Sequence, residues 1–542
     1  MMKMKKLSAI LIASSLGMAA SSVFAEESAT GSQSKSQSVG YIGKLSKSTI
    51  QAGNLWRLQA VGYDDFYSSV DNLSERVKFW HNVALDTVAL DHTPPSQDEP
   101  APANQGGPTR TSRALAMVQV AVFDALNAIE DEYNPYAATD LVAPANASPH
   151  AAVAFAAFRT LKRLYPAQEV RLKEIRDEEI TRIKSFTDQA SYKAGKDVGI
   201  AAFKAMRDLR AGDRSGRAEA DFGEGGRVAG GANVTYFGTK VNGGTRNIGE
   251  WQPDPNTPPT AGEFNLALGA YWGNVKPFFM AAGDQFRIAP PPALDGEEYA
   301  EAYAGVAAIG GAPTNTNTVS TGNDETRFIG NYWGYDGVPL IGVPPRIYNQ
   351  IAIQIAKAEG LTDPLELART LAMVNIGMAD VGIAAWDSKF FYNLWRPVTG
   401  IRSEDLNPGT VKDITWDPVG VSVINTEEPV RPTPPFPAYP SGHAAFGGVT
   451  FEILRDLLGD DTPFTFVSDE YNGLGFDPFH PDVPRPFVPV RFERLTDAQE
   501  QNGISRVYNG VHWSFDDIAG QGQGTAIGRY LLNDIDAFKP KW

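Results

Sequence analysis

Apolar residues recur every three to four positions in several long segments of this chain, and this spacing is typical of amphipathic α-helices. In the helix predicted over 112–129, which Ser112 could cap, Leu115, Val118, Val122 and Leu126 fall on one face. Signals for β-strands are few. The pattern therefore predicts an all-α fold. Further helices are predicted over 71–90, 151–164 and 168–209, from 345 onward, from 364 to 396 and after Ser441.

Stretches rich in proline and glycine interrupt the helical pattern at 93–108, 212–263 and 310–323. Long loops of this kind are uncommon in compact domains and often shape an active site. We expect an N-terminal helical region over 51–330 and a C-terminal helical region over 331–542.

The start of the chain is typical of a bacterial secretory signal. Lys3, Lys5 and Lys6 precede a short apolar run over 7–20, and small residues lead up to Ala25. We therefore expect residues 1–25 to be removed as a signal peptide, and the mature protein to be periplasmic or extracellular. Residues 26–50 are rich in Ser, Gly, Gln and Lys and predict a flexible leader.

Composition excludes several kinds of chemistry. The chain has no cysteine, so disulfides, thiolate metal sites and cysteine nucleophiles are ruled out. The net charge of −16 makes nucleic acid or an anionic membrane a poor partner, and an anion would need a local positive pocket. Imidazole chemistry must come from His81, His92, His150, His443, His480 or His512.

The first candidate segment is the helix predicted from Pro364, with Asp363 as its cap. Its apolar stripe continues into Lys389 and Arg396 before Pro397 ends the helix. Two cations on the buried side predict an anion between them, because a buried unpaired charge is very costly. The alternative is that both side chains reach solvent at the helix end.

The second and third segments add a helix N-terminus and three further cationic or basic groups. Ser441 and Gly442 begin a helix, where free backbone N–H groups favour an anion, and His443 lies in its first turn. Farther along, Arg506 suits a tetrahedral oxyanion, and His512 lies four residues before Asp516. If these two share a helix face, the carboxylate could orient the imidazole. Taken singly, a capped helix start with an exposed histidine explains the second segment about equally well. A surface arginine with a satisfied histidine is a plausible alternative for the third.

Together, Lys-x6-Arg-Pro, Pro-Ser-Gly-His and Ser-Arg-x5-His-x3-Asp occur in this order along the chain. This combination resembles the signature of the superfamily that joins vanadium haloperoxidases to type 2 phosphatidic-acid phosphatases and bacterial acid phosphatases. The stretches around Asp336, 344–350 and Trp386 further resemble fungal-type vanadium chloroperoxidases. The resemblance covers most of the chain from about residue 75 onward and implies two four-helix bundles in one body.

The resemblance also implies roles for individual residues. His512 would bond vanadium directly, His443 would be the acid–base group toward peroxide, and Asp336 would hold Arg506 in place. Trp386 and Phe436 would line the halide side of the pocket. Five groups would hold the vanadate oxygens: Lys389, which would also act on bound peroxide, Arg396, Ser441, Gly442 and Arg506.

The predicted function is a vanadium-dependent haloperoxidase that oxidises halide with hydrogen peroxide to hypohalous acid. Vanadate would be the cofactor, phosphate could occupy the same site, and small organic molecules could accept the halogen. Phe436 stands where algal bromoperoxidases typically carry a histidine and indicates a chloroperoxidase-like pocket, although the preferred halide stays open. One alternative is a secreted acid phosphatase with His512 as nucleophile, and another is a non-catalytic binding protein. The oligomeric state is also open, a homo-oligomer included.

Overall fold

The structure is a computed structural model. The predicted signal peptide and leader lie outside the residues it describes, as does most of 222–265. The described residues are 68–93, 103–221, 227–229, 232–234, 248–256, 266–427 and 430–542.

Thirteen α-helices occupy the described part of the chain, which confirms the predicted helical fold. They are α1 Leu73–Asp91, α2 Gly107–Glu130, α3 Pro149–Leu164, α4 Glu169–Lys184, α5 Gln189–Leu209, α6 Glu297–Ile309, α7 Asp324–Tyr332, α8 Pro344–Ala358, α9 Pro364–Tyr392, α10 Pro397–Arg402, α11 Gly442–Leu458, α12 Leu495–Tyr508 and α13 Ser514–Asp534. Two short 3-10 helices cover Pro166–Gln168 and Trp272–Asn274.

Strands in the described residues are short and form four antiparallel pairs. They are β1 Ala220–Asp221, β2 Arg227–Ala229, β3 Ala232–Val234, β4 Leu266–Ala267, β5 Phe464–Asn472, β6 Phe476–Asp477, β7 His480–Pro484 and β8 Phe487–Phe492. The pairs are β1 with β4, β2 with β3, β5 with β8, and β6 with β7.

The helices pack as two four-helix bundles. In the first bundle α2 and α3 contact each other, and both contact α1 and α5. In the second bundle α9 and α11 contact each other, and both contact α8 and α13, with α12 packed along α11 and α13. Helices α2 and α9 also pack against each other and join the bundles. Both are long and apolar enough to cross a membrane, but their most apolar windows are 83% and 94% buried in the protein.

The central helices of the two bundles carry the same local sequence and the same buried carboxylate. Residues 115–118 of α2 and 371–374 of α9 both read Leu-Ala-Met-Val. Farther along, Asp124 and Asp380 are buried, and each accepts three consecutive backbone N–H groups from a neighbouring loop. The bundles are thus two copies of one helical unit.

A second matching pair extends this duplication to α3 and α11. Residues 148–152 read Ser-Pro-His-Ala-Ala, and 441–445 read Ser-Gly-His-Ala-Ala. Each serine caps its helix, and its backbone N–H donates to a carbonyl near the start of the last bundle helix, Ser191 in one copy and Asp516 in the other. Proline has no N–H, so the first copy lacks the backbone donor that glycine supplies in the second.

Glycines allow the last helix of each bundle to pack closely against this serine. A Cβ on Gly195 of α5 would lie 2.0 Å from the carbonyl oxygen of Ser148. A Cβ on Gly520 of α13 would lie 2.6 Å from the carbonyl oxygen of Ser441. Both positions therefore require glycine for the same packing reason.

Three predicted helix boundaries were wrong. Helix α2 begins at Gly107, and Ser112 lies inside it, where its hydroxyl donates to the carbonyl of Thr109 instead of capping the helix. The helix predicted over 168–209 is divided into α4 and α5. Helix α9 ends at Tyr392, well before Pro397, as described below.

Candidate anion-binding site

Lys389 lies in the last turn of α9 and is fully buried. Its ammonium donates to the carbonyls of Pro437 at 3.0 Å, Ala438 at 2.9 Å and Pro440. Burial lowers the pKa of Lys389 well below its usual value, and the nearby Arg396 lowers it further. Lys389 therefore fixes the proline-rich segment against α9 and brings a charge that a bound anion would stabilise.

Arg396 belongs to the same site as Lys389 but lies outside α9. The prediction that it continues the apolar stripe of this helix was wrong. Asn393 adopts a left-handed conformation with φ 52° and ends the helix, and the Trp395 N–H then pairs with the Gly249 carbonyl. The chain thus leaves the path of α9 after Asn393, and Arg396, in an extended conformation, becomes the N-cap of α10.

The guanidinium of Arg396 is fully buried and only partly paired. Its Nε donates to the carbonyl of Phe436 at 3.0 Å, and its Nη1 to that of Val511 at 2.7 Å. Its Nη2 has no partner among the described residues. Burial lowers the pKa of Arg396 to about 9. A buried donor of this kind calls for an acceptor, and none of the described side chains supplies one.

His512 faces Arg396 with a fixed ring nitrogen. The carboxylate of Asp516 lies 2.8 Å from Nδ1 and can only accept when ionised, so Nδ1 carries the proton. Nε2 then keeps its lone pair and lies 3.2 Å from Nη1 of Arg396. Burial, with Arg396 next, lowers the pKa of His512 well below its usual value. The lowered pKa favours the neutral imidazole. His512 precedes α13, so the prediction that it shares a helix face with Asp516 was wrong.

Arg506 is held by the carboxylate of Asp336. Nη2 donates to Oδ1 at 2.6 Å and Nη1 to Oδ2 at 3.3 Å, in the bidentate geometry that orients a guanidinium. Burial raises the pKa of Asp336, and Arg506 opposes that rise. The Nε of Arg506 is a buried donor with no partner in the part of the chain that the structure describes.

The N-terminus of α11 adds backbone donors beside these cations. Ser441 caps the helix, and Gly442 opens it so close to Trp386 that a Cβ would contact the indole at 3.4 Å. His443 follows and lies 2.7 Å from the Gly334 carbonyl through Nε2. A carbonyl only accepts, so Nε2 carries the proton and Nδ1 is the acceptor. Burial, with Arg506 next, lowers the pKa of His443 well below its usual value.

Two aromatic rings form one wall of the site, which we call the aromatic wall: Trp386 and Phe436. Their centroids are 4.9 Å apart. The ammonium of Lys389 lies 5.1 Å from the Phe436 centroid, and the guanidinium carbon of Arg396 lies 5.0 Å from it. The indole N–H donates to the carbonyl of Leu268 at 2.9 Å, so the wall presents carbon surface next to positive charge.

The residues that support this site from behind were not predicted as site residues. The hydroxyl of Tyr348 and the amide of Asn502 both donate to the carbonyl of His443, at 2.8 and 3.0 Å. Glu470 contacts the segment that carries Asp336. Such contacts join residues far apart in the chain, and only their three-dimensional placement shows them.

The charged residues of the site determine which kind of ligand it can bind. Three buried cations, Lys389, Arg396 and Arg506, face the buried carboxylate of Asp516 and that of Asp336, whose side chain is 4% exposed. Two guanidinium donors have no described partner. No group of three or more metal-ligating side chains occurs in the described ranges. The residues therefore fit a tetrahedral oxyanion that one imidazole nitrogen can also contact.

Comparison with known proteins identifies relatives of this chain. Residues 369–538 match the family model of the VCPO second helical-bundle domain. The chain is 29% identical over 509 residues to a vanadium chloroperoxidase of Curvularia inaequalis, and the match covers 82% of this chain and 79% of that protein. The resemblance predicted from the sequence is confirmed.

Solved structures show the same fold. A bacterial vanadium-dependent iodoperoxidase superposes with a TM-score of 0.63 at 22% identity, covering 86% of this chain and 98% of that one. An apo-type bacterial vanadium-dependent chloroperoxidase gives a TM-score of 0.56 at 18% identity, covering 78% of this chain and 93% of that one.

Proposed function

We propose, from the premise that this chain is a relative of the vanadium haloperoxidases and carries their second helical-bundle domain, that it binds vanadate and oxidises halide ions with hydrogen peroxide. The observation that carries the proposal is the pair of buried donors, Nη2 of Arg396 and Nε of Arg506, beside the lone pair of His512 Nε2. An oxyanion would accept from both donors, and its central atom would replace Nη1 of Arg396 as the partner of His512 Nε2.

The residues that would hold vanadate differ in the chemical role that each would have. Arg396 and Arg506 would donate to its oxygens, and the backbone N–H groups at the start of α11 would do the same at Gly442. His512 would contact the metal through Nε2. When bound, vanadate supplies a Lewis acid that activates hydrogen peroxide toward halide. Lys389 would contribute charge, since its donors already contact three carbonyls.

His443 is suited to move a proton. Its lowered pKa keeps the imidazole neutral near pH 7, and its Nε2 is tied to Gly334, which leaves Nδ1 as the basic atom. We propose that Nδ1 accepts a proton from incoming hydrogen peroxide. The aromatic wall excludes water on the halide side, where nearby cations favour an anion.

The first expected result is vanadate-dependent halide oxidation. A panel of chloride, bromide and iodide should be oxidised by the purified protein only when vanadate and peroxide are both present. Inorganic phosphate should compete, because the same cations bind both tetrahedral anions. The rival is an acid phosphatase, since His512 held by Asp516 also suits attack on phosphorus. Fast phosphate-ester cleavage without any halide oxidation after vanadate loading would establish that rival.

A second expected result concerns the aromatic wall and Gly269, whose φ is +75°. A Cβ at this position would lie 2.3 Å from Cδ1 and Nε1 of Trp386, so Gly269→Ala should displace the indole. We expect the ratio of kcat/KM between bromide and chloride to change by about tenfold, which corresponds to about 1.4 kcal/mol. Halide competition assays on the vanadate-loaded protein measure this ratio.

The control for Gly269→Ala is Gly360→Ala. Gly360 has a similar φ of +64°, but nothing lies within 4 Å of its Cβ position. It therefore reproduces the backbone strain without moving a ring. If both variants change the halide ratio equally, Gly269 does not act through Trp386.

Export is a further part of the proposal. It is supported by Lys3, Lys5 and Lys6 before a short apolar run and by the small residues that end at Ala25. N-terminal sequencing of the protein recovered from the periplasm or medium should begin at Glu26. Recovery of the intact N-terminus from the cytoplasm would contradict export.

A further inference from the structure

One short segment touches two of the proposed functional groups at once. It covers residues 334–337, directly after α7, and we call it the strap. The carbonyl of Gly334 accepts from Nε2 of His443 at 2.7 Å, and the carboxylate of Asp336 accepts from Arg506. Any shift of the strap would therefore change both the proton acceptor and an anion-binding cation.

The strap has a backbone conformation that its surroundings must maintain. Tyr335 has φ 47°, in the left-handed region that non-glycine residues rarely adopt. Its hydroxyl donates to Gln350 at 2.7 Å and accepts from the N–H of Asp469 at 2.9 Å. Its own N–H donates to Glu470 at 3.1 Å. Such conformations cost free energy and persist only where several contacts over-determine them.

Glu470 is the group that meets the strap from β5, and it is fully buried. Besides the N–H of Tyr335 on Oε1, it accepts on Oε2 from the hydroxyl of Ser422 at 2.6 Å and from Nη1 of Arg485 at 2.7 Å. The N–H of Ser422 in turn donates to Asp336 at 3.3 Å. Glu470 thus fixes the strap directly at Tyr335 and indirectly at Asp336.

We propose that Glu470 is a positioning residue that acts through the strap, fixing the tautomer of His443 and the orientation of Arg506. The part concerning peroxide rests on the proposed function. The part concerning Arg506 requires only that the site bind an oxyanion, so inorganic phosphate can test it on the protein as purified.

Glu470→Gln is the discriminating substitution. A carboxylate accepts on both oxygens, whereas an amide presents one oxygen and one NH₂ group. If the amide oxygen of the new side chain keeps the contact with Arg485, its NH₂ group faces the N–H of Tyr335. Two donors then face each other and repel, and the hydrogen bond from the Tyr335 N–H is lost. We expect phosphate affinity and vanadate-dependent kcat to fall about 10- to 100-fold, as for other groups that orient a metal ligand, with a smaller change in KM for halide.

Two further variants keep the test decisive. Glu179→Gln alters another fully buried carboxylate, which lies on α4 and pairs with Arg76 of the first bundle, and should lower thermal stability without changing phosphate affinity or kcat. Gly334→Ala approaches the same contact from the strap, because its Cβ would lie 2.6 Å from Oε1 of Glu470. It should lower phosphate affinity and kcat as Glu470→Gln does.

Calorimetry with inorganic phosphate and steady-state kinetics measure these effects. If Glu470→Gln and Gly334→Ala both match Glu179→Gln, losing stability while phosphate affinity and kcat stay unchanged, the positioning role is wrong. If the wild-type protein shows no halide oxidation, the proposed function fails, but the phosphate titrations still decide whether Glu470 orients Arg506.

Discussion

Replacing His512 by alanine is expected to lower kcat for halide oxidation by more than about 100-fold. This loss exceeds the one expected when a residue that only supports a metal ligand is removed. His512 is the one described imidazole whose unprotonated nitrogen lies next to Arg396, with Asp516 fixing the proton on the other nitrogen. Steady-state kinetics with saturating vanadate measure the loss.

Measuring phosphate affinity distinguishes a variant that has lost only a metal ligand from one that has lost the whole anion site. The cations remain in His512→Ala, so we expect phosphate affinity to fall by less than about tenfold while vanadate affinity falls much further. His92→Ala is the control, since His92 is equally buried but lies in the first bundle against Gly107. Vanadate-dependent oxidation within about tenfold of wild type in His512→Ala would contradict the assigned role.

Much of the site could be predicted from the chain because its chemistry is local in sequence. His443 lies in the first turn of a helix because Ser441 caps it, and the pattern of a capping residue before an apolar run is readable. The position of Arg396 was predicted for the wrong reason. Periodicity alone continued the helix, whereas Asn393 ends it and the chain then pairs with residues near Gly249, a contact that no local pattern reveals.

The two bundles were predicted from the family resemblance alone, and the stretches that relate them were not recognised, for a different physical reason. The Leu-Ala-Met-Val stretches at 115–118 and 371–374 and the Ser-x-His-Ala-Ala stretches at 148–152 and 441–445 are visible in the sequence. Their separations differ, because the loops between corresponding helices differ in length, so no fixed period appears. Glu470 was equally hidden, since one buried acid among 64 acidic residues carries no local signal.

The duplicated architecture also explains why the proposed anion site lies in one bundle and has no counterpart in the other. In the first bundle Pro149 replaces the glycine at the helix start, and Ser191 stands where Asp516 orients an imidazole. His150 there is paired with Arg76, which also contacts Glu179 in a buried ion pair. In the first bundle the place that corresponds to the proposed anion site is therefore filled by contacts between its own side chains. The residues that correspond to Gly442 and Asp516 supply neither a backbone donor nor a carboxylate there.

That correspondence gives the second large prediction, the pair Gly520→Ala and Gly195→Ala. Both add a Cβ that would approach a serine carbonyl, Ser441 at 2.6 Å and Ser148 at 2.0 Å, so both should force the last helix of their bundle outward. We expect each to destabilise the protein by about 1–3 kcal/mol or more, as overpacking of a close contact does. Denaturant unfolding of the two variants measures this cost.

The two variants should differ in function although they share the packing defect. In the second bundle the displaced helix carries Asp516, which orients His512, and its neighbour carries Ser441 at the anion site. Gly520→Ala should therefore weaken phosphate and vanadate binding by about tenfold or more, whereas Gly195→Ala should leave both within about twofold. Equal losses of anion affinity in the two variants would mean that the site depends on global stability. A loss confined to Gly520→Ala would show that close packing of α13 on α11 sets the distance between the imidazole and the helix-end donors.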